Sequence, residues 1–229
     1  MKTAVVITGH MRCWKQLYPY FKEKFISKYN PDIYISTWDT EGWWQWGDFY
    51  RNSPSINDQE IFEAYNPKKY LKEANSSYDE LFRSLATKYT KTYGPYIKNV
   101  ISMMYKWKSG LDLIEEDYDL VIRTRTDVEY LEAFPEFNTE YFYSAEQPGI
   151  DQGGMGDMMH VGSLNDMKAF CNIFNELDNL YAQIDMFCPH LLTEQYSKNL
   201  NFKWIEFKNL YKLHNTPWGQ HQEVQRFMK

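Results

Sequence analysis

Asp119-Leu120-Val121-Ile122-Arg123-Thr124-Arg125-Thr126-Asp127-Val128-Glu129 lies in the middle of the 229-residue chain. Its first half is a short apolar run bounded by acid, the pattern of a central strand. Its second half turns to alternating charge. Two other segments resemble that first half. Ala4-Val5-Val6-Ile7 is β-branched at three of four positions and is stopped by Thr8-Gly9-His10. Residues 32–39 (DIYISTWD) set Ile33 and Ile35 on one face, Tyr34 and Ser36 on the other.

Helical patterns separate these strands. Trp14, Leu17, Tyr18, Phe21 and Phe25 recur at spacings of three and four, with Pro19 expected in the first turn. Ser77-Tyr78-Asp79-Glu80 reads as a capping box before Leu81, Phe82, Leu85 and Tyr89. Ile97, Val100, Ile101, Met104, Tyr105, Leu111 and Ile114 hold one face of a longer helix. Beyond the central stretch, residues 142–145 and 158–162 read as short strands. A helix from residue 163 presents Met167, Phe170, Phe174 and Leu177, another carries Leu192, Tyr196 and Leu200, and residues 202–213 alternate like one strand. Residues 40–76 hold no period and read as a long irregular excursion. Strands alternating with helices predict an α/β fold: a three-layer α/β/α sandwich with a mostly parallel central sheet. Residues 4–8, 33–37 and 120–126 should be neighbouring core strands.

Composition bounds the function. The length fits one domain over residues 1–229. With 25 basic and 31 acidic residues the net charge is −6, which argues against nucleic acid as the main partner. Mean hydropathy is −0.65, and no apolar run reaches the ~18 residues of a membrane span. The N-terminus does not read as a signal peptide. Cys13, Cys171 and Cys188 are too few and too dispersed for a disulfide framework or a zinc site, which fits a reducing compartment and a cytoplasmic location. Aromatics are the outlier at 18%, the composition of a sugar-handling surface or of a well-filled core.

In a parallel sheet ligands gather at the carboxyl ends of strands. The first strand delivers Gly9, His10 and Arg12 there: glycine lets a ligand approach the backbone, and arginine grips phosphate with paired donors. The spacing is not that of a dinucleotide fingerprint. The second strand delivers Thr37, Trp38 and Asp39, an indole for stacking and a carboxylate for a base or ribose, or a packed Trp and a capping Asp. The third delivers Arg123, Arg125 and Asp127, which share one face if the strand stays regular. Asp127 and Glu129 can then point at one hard cation, Mg²⁺ or Mn²⁺, which takes oxygen ligands and shares its shell with phosphates. A plain surface strand of alternating charge is the other reading. A strand-end carboxylate facing a cleft should carry little packing.

Together the Thr-Gly-His-Met-Arg strand end and the mid-chain Arg-Thr-Arg-Thr-Asp-Val-Glu run resemble a small GT-A-type glycosyltransferase, of the kind found in bacterial and large-DNA-virus polysaccharide synthesis. Glu129 stands where that pattern most often has Asp. The resemblance implies a nucleotide-binding half over about residues 1–130 and an acceptor-binding half over about 131–229. Gly9, His10 and Arg12 would border the nucleotide, and Thr37, Trp38 and Asp39 the base and ribose. Asp127 and Glu129 would hold Mn²⁺ or Mg²⁺ on the diphosphate, with a late histidine, His214, completing the shell; His221 follows it. The Gly153-Gly154-Met155-Gly156-Asp157 loop resembles an acceptor-side glycine loop, making Asp157 the first candidate for the base of an inverting transfer. Glu194, at the start of a late helix, is the second and Asp151 the third. Trp43, Trp44 and Trp46 would stack on a sugar or pack beneath their loop.

The implied partners are a nucleotide-sugar donor and a glycan or glycoconjugate acceptor. The implied location is the cytoplasm, that of the host if the chain is viral. Two alternatives stay open: a sugar nucleotidyltransferase, poorly matched by Thr8-Gly9-His10-Met11-Arg12, and a non-catalytic carbohydrate- or nucleotide-binding protein.

Overall fold

The computed structural model describes residues 1–42, 53–92, 97–131, 134–145 and 153–207, and the backbone of 211–213 and 222–223. Trp43, Trp44, Trp46, Asp151, His214 and His221 lie outside the described residues.

The chain opens with β1 (Thr3–Gly9), α1 (Trp14–Phe21), a π turn at Lys22–Ile26, α2 (Ser27–Tyr29) and β2 (Asp32–Trp38). It continues through α3 (Asp58–Tyr65), β3 (Lys69–Glu73), α4 (Asp79–Ala86), α5 (Ile97–Leu111), β4 (Leu120–Thr124) and β5 (Val128–Tyr130). β6 (Phe142–Ala145), β7 (His160–Gly162), α6 (Leu164–Cys171), α7 (Leu177–Ile184), α8 (Pro189–Asn199), β8 (Trp204–Phe207), β9 (Tyr211–Leu213) and β10 (Gln222–Glu223) complete it.

Seven strands form the main sheet in the order β3-β2-β1-β4-β7-β6-β8. β3, β2, β1 and β4 are mutually parallel. β7 alone runs against its neighbours, since β6 is antiparallel to it and parallel to β8. β5, β9 and β10 make a small antiparallel sheet. The three expected core strands are adjacent: Val5 pairs with Ile33 on one side and Ile122 on the other. Both faces of the sheet are covered. Ala4, Val6, Tyr34 and Val121 pack under α4–α8, while Val5, Ile7, Ile33, Ile35 and Ile122 pack under α1 and α3. That is the sandwich the alternating pattern predicts.

Several local expectations need correction. Residues 53–78 are not irregular: they hold α3, capped by the Asn57 side chain on the Gln59 amide, and β3. β3 reads Lys-Tyr-Leu-Lys-Glu and lies at the sheet edge, where charged side chains are tolerated and mask a strand pattern. No capping box forms at residues 77–80; Ser77 is in a 3₁₀ turn and α4 starts at Asp79 with no side-chain cap. Pro19 lies inside α1, not in its first turn, and the helix passes into the π turn three residues later. The helix begun at Leu164 breaks into a 3₁₀ turn at Asn172–Glu176 before α7. The alternating residues 202–213 form β8 and β9, which belong to different sheets.

Among the described residues, no helix is long and apolar enough to cross a membrane.

Candidate functional site

A cavity of about 220 Å³ opens where β1, β2 and β4 end. Thr8, Gly9, His10, Arg12, Trp38, Arg123, Arg125 and Asp127 line it from the strand ends, and Asp157 from the loop before β7. α5 supplies Asn99, Val100, Ser102, Met103 and Trp107. Sequence reasoning missed this helical wall. Its signal was present: Asn99, Ser102 and Met103, then Trp107, follow helical spacing beside the apolar face.

Gly9 ends β1 with φ +97°, and a Cβ placed there would meet nothing within 4 Å. The positive φ favours glycine, and the open space leaves the backbone accessible from the cavity. His10 follows. Its Nδ1 is 3.0 Å from the Thr40 carbonyl and its Nε2 3.5 Å from Asn75 Nδ2. Burial, then the charge of Arg12, drives its pKa down to about 3, so the ring is neutral and donates Nδ1–H to Thr40. Arg12 Nε donates to the Gly42 carbonyl at 2.6 Å, so both residues anchor the segment after β2. Thr126 Oγ1 lies 3.2 Å from the His10 carbonyl and 2.9 Å from that of Arg12, tying the loops after β1 and β4 together.

The regular strand expected through Asp127 stops at Thr124, and residues 126–127 form a turn. The turn folds the Asp127 carboxylate back on Arg125, whose Nε and Nη2 donate to its two oxygens at 2.6 and 2.8 Å. Arg12 Nη1 is 3.6 Å from the same carboxylate. Burial alone would push Asp127 up, but the charge and hydrogen bonds of Arg125, helped by Arg12, hold its carboxyl below the usual carboxylate range. The Asp127 side chain lines the cavity yet is only 2% exposed, so it carries more packing and pairing than the strand-end reading expects.

Arg123 is held differently. It is 1% exposed, its Nη2 donates to the Asp157 carbonyl and, at 3.0 Å, to His160 Nδ1, and its guanidinium lies 4.5 Å over the Trp107 ring. Its Nε has no hydrogen-bond partner. Burial lowers its pKa to about 10, which still leaves it protonated at neutral pH. Three guanidiniums and two carboxylates therefore face the cavity.

Asp157 is 8% exposed and follows the glycine loop. The N-terminus of α8 grips that loop: a Cβ at Gly154, φ +106°, would fall 2.5 Å from the His190 backbone, and His190 Nδ1 and Thr193 Oγ1 both reach the Met155 carbonyl.

The remaining expected residues lie elsewhere. Thr37 is buried with its hydroxyl on the Trp38 carbonyl, and the Asp39 carboxylate accepts from the Asn75 amide; neither lines the cavity. Trp38 lines it but is 1% exposed, stacked on Tyr105 at 5.8 Å and covered by Lys106 Nζ 4.0 Å from its ring. It is part of an aromatic core more than a free stacking platform. Glu194 is on α8 with its carboxylate on Lys198 at 2.6 Å, outside the cavity lining.

Glu129 lies in β5, opposite Lys212 of β9, and does not line the cavity. The metal expected on Asp127 and Glu129 therefore meets a poor donor set. The two carboxylates are parted by the turn, and both Asp127 oxygens accept from Arg125. Among the described residues, no group of three or more His, Cys, Asp and Glu could hold an ion. The third expected ligand, His214, lies outside the described residues.

No protein-family model and no curated protein sequence matches the chain. Among solved structures, it is similar to the apo crystal structure of mouse xyloside xylosyltransferase 1, with 9% identity, 90% of this chain and 84% of that one covered, and a TM-score of 0.44.

Proposed function

We propose that the chain is a glycosyltransferase that moves a sugar from a nucleoside diphosphate donor to a hydroxyl of a glycan or other acceptor. The observation that carries this reading is the cavity: an open glycine backbone, three arginines and a loop carboxylate at the carboxyl ends of parallel strands. Such a set suits an anionic leaving group with an acid–base group nearby. The guanidiniums would stabilise charge developing on the departing diphosphate. Asp157 would take the proton of the attacking hydroxyl in an inverting transfer. The lining also supports a division of labour, since among the described residues Asp157 is the lining residue that comes from beyond residue 130.

The test is a melting-temperature screen of UDP, GDP, CDP and dTDP, each with EDTA and with Mn²⁺ or Mg²⁺, followed by a transfer assay with the matching nucleotide sugars. A nucleotide at one hundred times its Kd adds about 2.7 kcal/mol of stability, a clear shift. Asp157→Asn should keep that shift and lose transfer. A shift without transfer to any acceptor would favour a binding protein, and no shift with any nucleotide would end the reading.

A further inference from the structure

We propose that Arg123 is the guanidinium that anchors the diphosphate, and that His160 is the positioning residue that keeps it aimed without itself bringing a negative charge. The proposal rests on the nucleoside-diphosphate reading above and singles out one arginine of the three.

The arginines differ in what they touch. Arg125 is committed to Asp127 by two hydrogen bonds, and Arg12 shares that carboxylate at 3.6 Å. The groups in contact with the Arg123 guanidinium are neutral: a backbone carbonyl, an imidazole nitrogen and an indole face. A buried guanidinium without a carboxylate in contact is costly in an empty site. Its charge is shared only at a distance, with the Asp157 carboxylate, and its Nε is an unused donor toward an anion entering from the cavity.

His160 makes this possible. β7 pairs antiparallel with β4 and sets His160 opposite Arg123 in register. The imidazole is fully buried, with Nε2 2.9 Å from the Gly156 carbonyl. Nε2 must carry the proton to donate there, so Nδ1 presents its lone pair to Arg123. Burial and the neighbouring Arg123 hold the ring neutral. An aspartate in that position would orient the guanidinium equally well but would cancel the charge the ligand needs. The same bonds join Arg123 to the Gly156 and Asp157 carbonyls, so an anion on Arg123 would draw on the loop that bears the candidate base.

The experiment measures inorganic pyrophosphate and UDP, GDP, CDP and dTDP binding by calorimetry, in EDTA and in Mn²⁺, for the wild type, Arg123→Met and His160→Phe, with each apo melting temperature. Phe keeps the ring contacts to Trp107 and Phe170 and removes the acceptor. Arg123→Met should lose about 10- to 100-fold in pyrophosphate affinity, the range for a charge-assisted hydrogen bond. Its apo melting temperature should hold or rise, because a buried unneutralised charge is gone. His160→Phe should weaken binding and also lower the melting temperature, since it leaves the Gly156 carbonyl and an Arg123 N–H without a partner.

Arg123→Met that melts lower yet binds pyrophosphate like the wild type would make Arg123 a structural residue and overturn the proposal. If Arg123→Met does not fold, His160→Phe decides: unchanged pyrophosphate affinity rejects the anchor. Nucleotide binding by the wild type with no effect of either variant removes the anchor alone. A wild type that binds neither pyrophosphate nor any nucleoside diphosphate, with EDTA or with Mn²⁺, removes the glycosyltransferase reading itself.

Discussion

Asp127 shows how a single side chain changes meaning between chain and fold. In the sequence it is half of an acidic pair beside arginines; in the structure both oxygens belong to Arg125. Removing its charge strands a largely buried guanidinium. Asp127→Asn should therefore cost about 3 kcal/mol of stability, read from urea or thermal unfolding of the apo protein. An unchanged midpoint would show that the pair contributes nothing. His10 gives the pH dependence. Its folded pKa, about 3, lies below the unfolded value near 6.5, so between these pH values the unfolded chain binds the extra proton. Stability is full above about pH 6.5 and falls as the pH drops toward 3. His160, also held neutral, adds in the same direction. By pH 5 His10 should account for about 2 kcal/mol. His10→Gln should flatten the decline in a series of denaturation curves from pH 7 to 5.

Among the elements, α5 does most to shape the cavity. It crosses β1 closely at Gly110, where a Cβ would fall 2.7 Å from Thr8 Cγ2 and 3.0 Å from Val6 Cγ1. Both neighbours are β-branched side chains on a strand and cannot swing aside freely. In Gly110→Ala the better helix propensity, about 1 kcal/mol, meets an overpacking cost of about 1–3 kcal/mol. The expected result is a net loss of about 1 kcal/mol and, because α5 would shift against β1, weaker nucleotide binding. A higher melting temperature with intact binding would show that the helix has slack. At the carboxyl end of β2, Lys106 is fully buried, with Nζ 2.7 Å from Glu73 and 2.8 Å from the Thr37 carbonyl. It clamps β2 and β3 beneath Trp38. Nothing in the apolar periodicity of α5 announces that role.

The protein as a body is acidic, at −6, with a cavity whose charged lining has three guanidiniums against two carboxylates. A long polyanion meets the repulsive surface, whereas a small diphosphate fits the recess. Fluorescently labelled single- or double-stranded DNA should show no binding at 0.1 M salt under conditions where a nucleoside diphosphate binds. Anisotropy measures the first and calorimetry the second. Tight DNA binding would mean that the basic groups serve an outer surface after all. The aromatic surplus also resolves at this level: much of it fills two cores, as in the Trp38, Tyr78, Phe82 and Tyr105 cluster beneath the sheet's carboxyl edge.

The α/β class, the adjacency of β1, β2 and β4, and the strand ends as the place to look were legible along the chain. Apolar period and helix–strand alternation are local properties that survive without knowledge of contacts. So was the gathering of Gly9, Arg12, Arg123, Arg125 and Asp127, because parallel strands must present their carboxyl ends together; Asp157, before the antiparallel β7, was suggested only by the family resemblance. The charge pairing was not legible. Arg125 takes Asp127 because the strand breaks into a turn at residues 126–127, and Arg123 is left to a neutral histidine because β7 reverses direction beside β4. β3 was hidden by its edge charges, and β8 and β9 read as one strand because alternation does not say which sheet a strand will join. Which residues share a cavity follows from period and order; which of them neutralise one another depends on contacts between segments far apart in the chain.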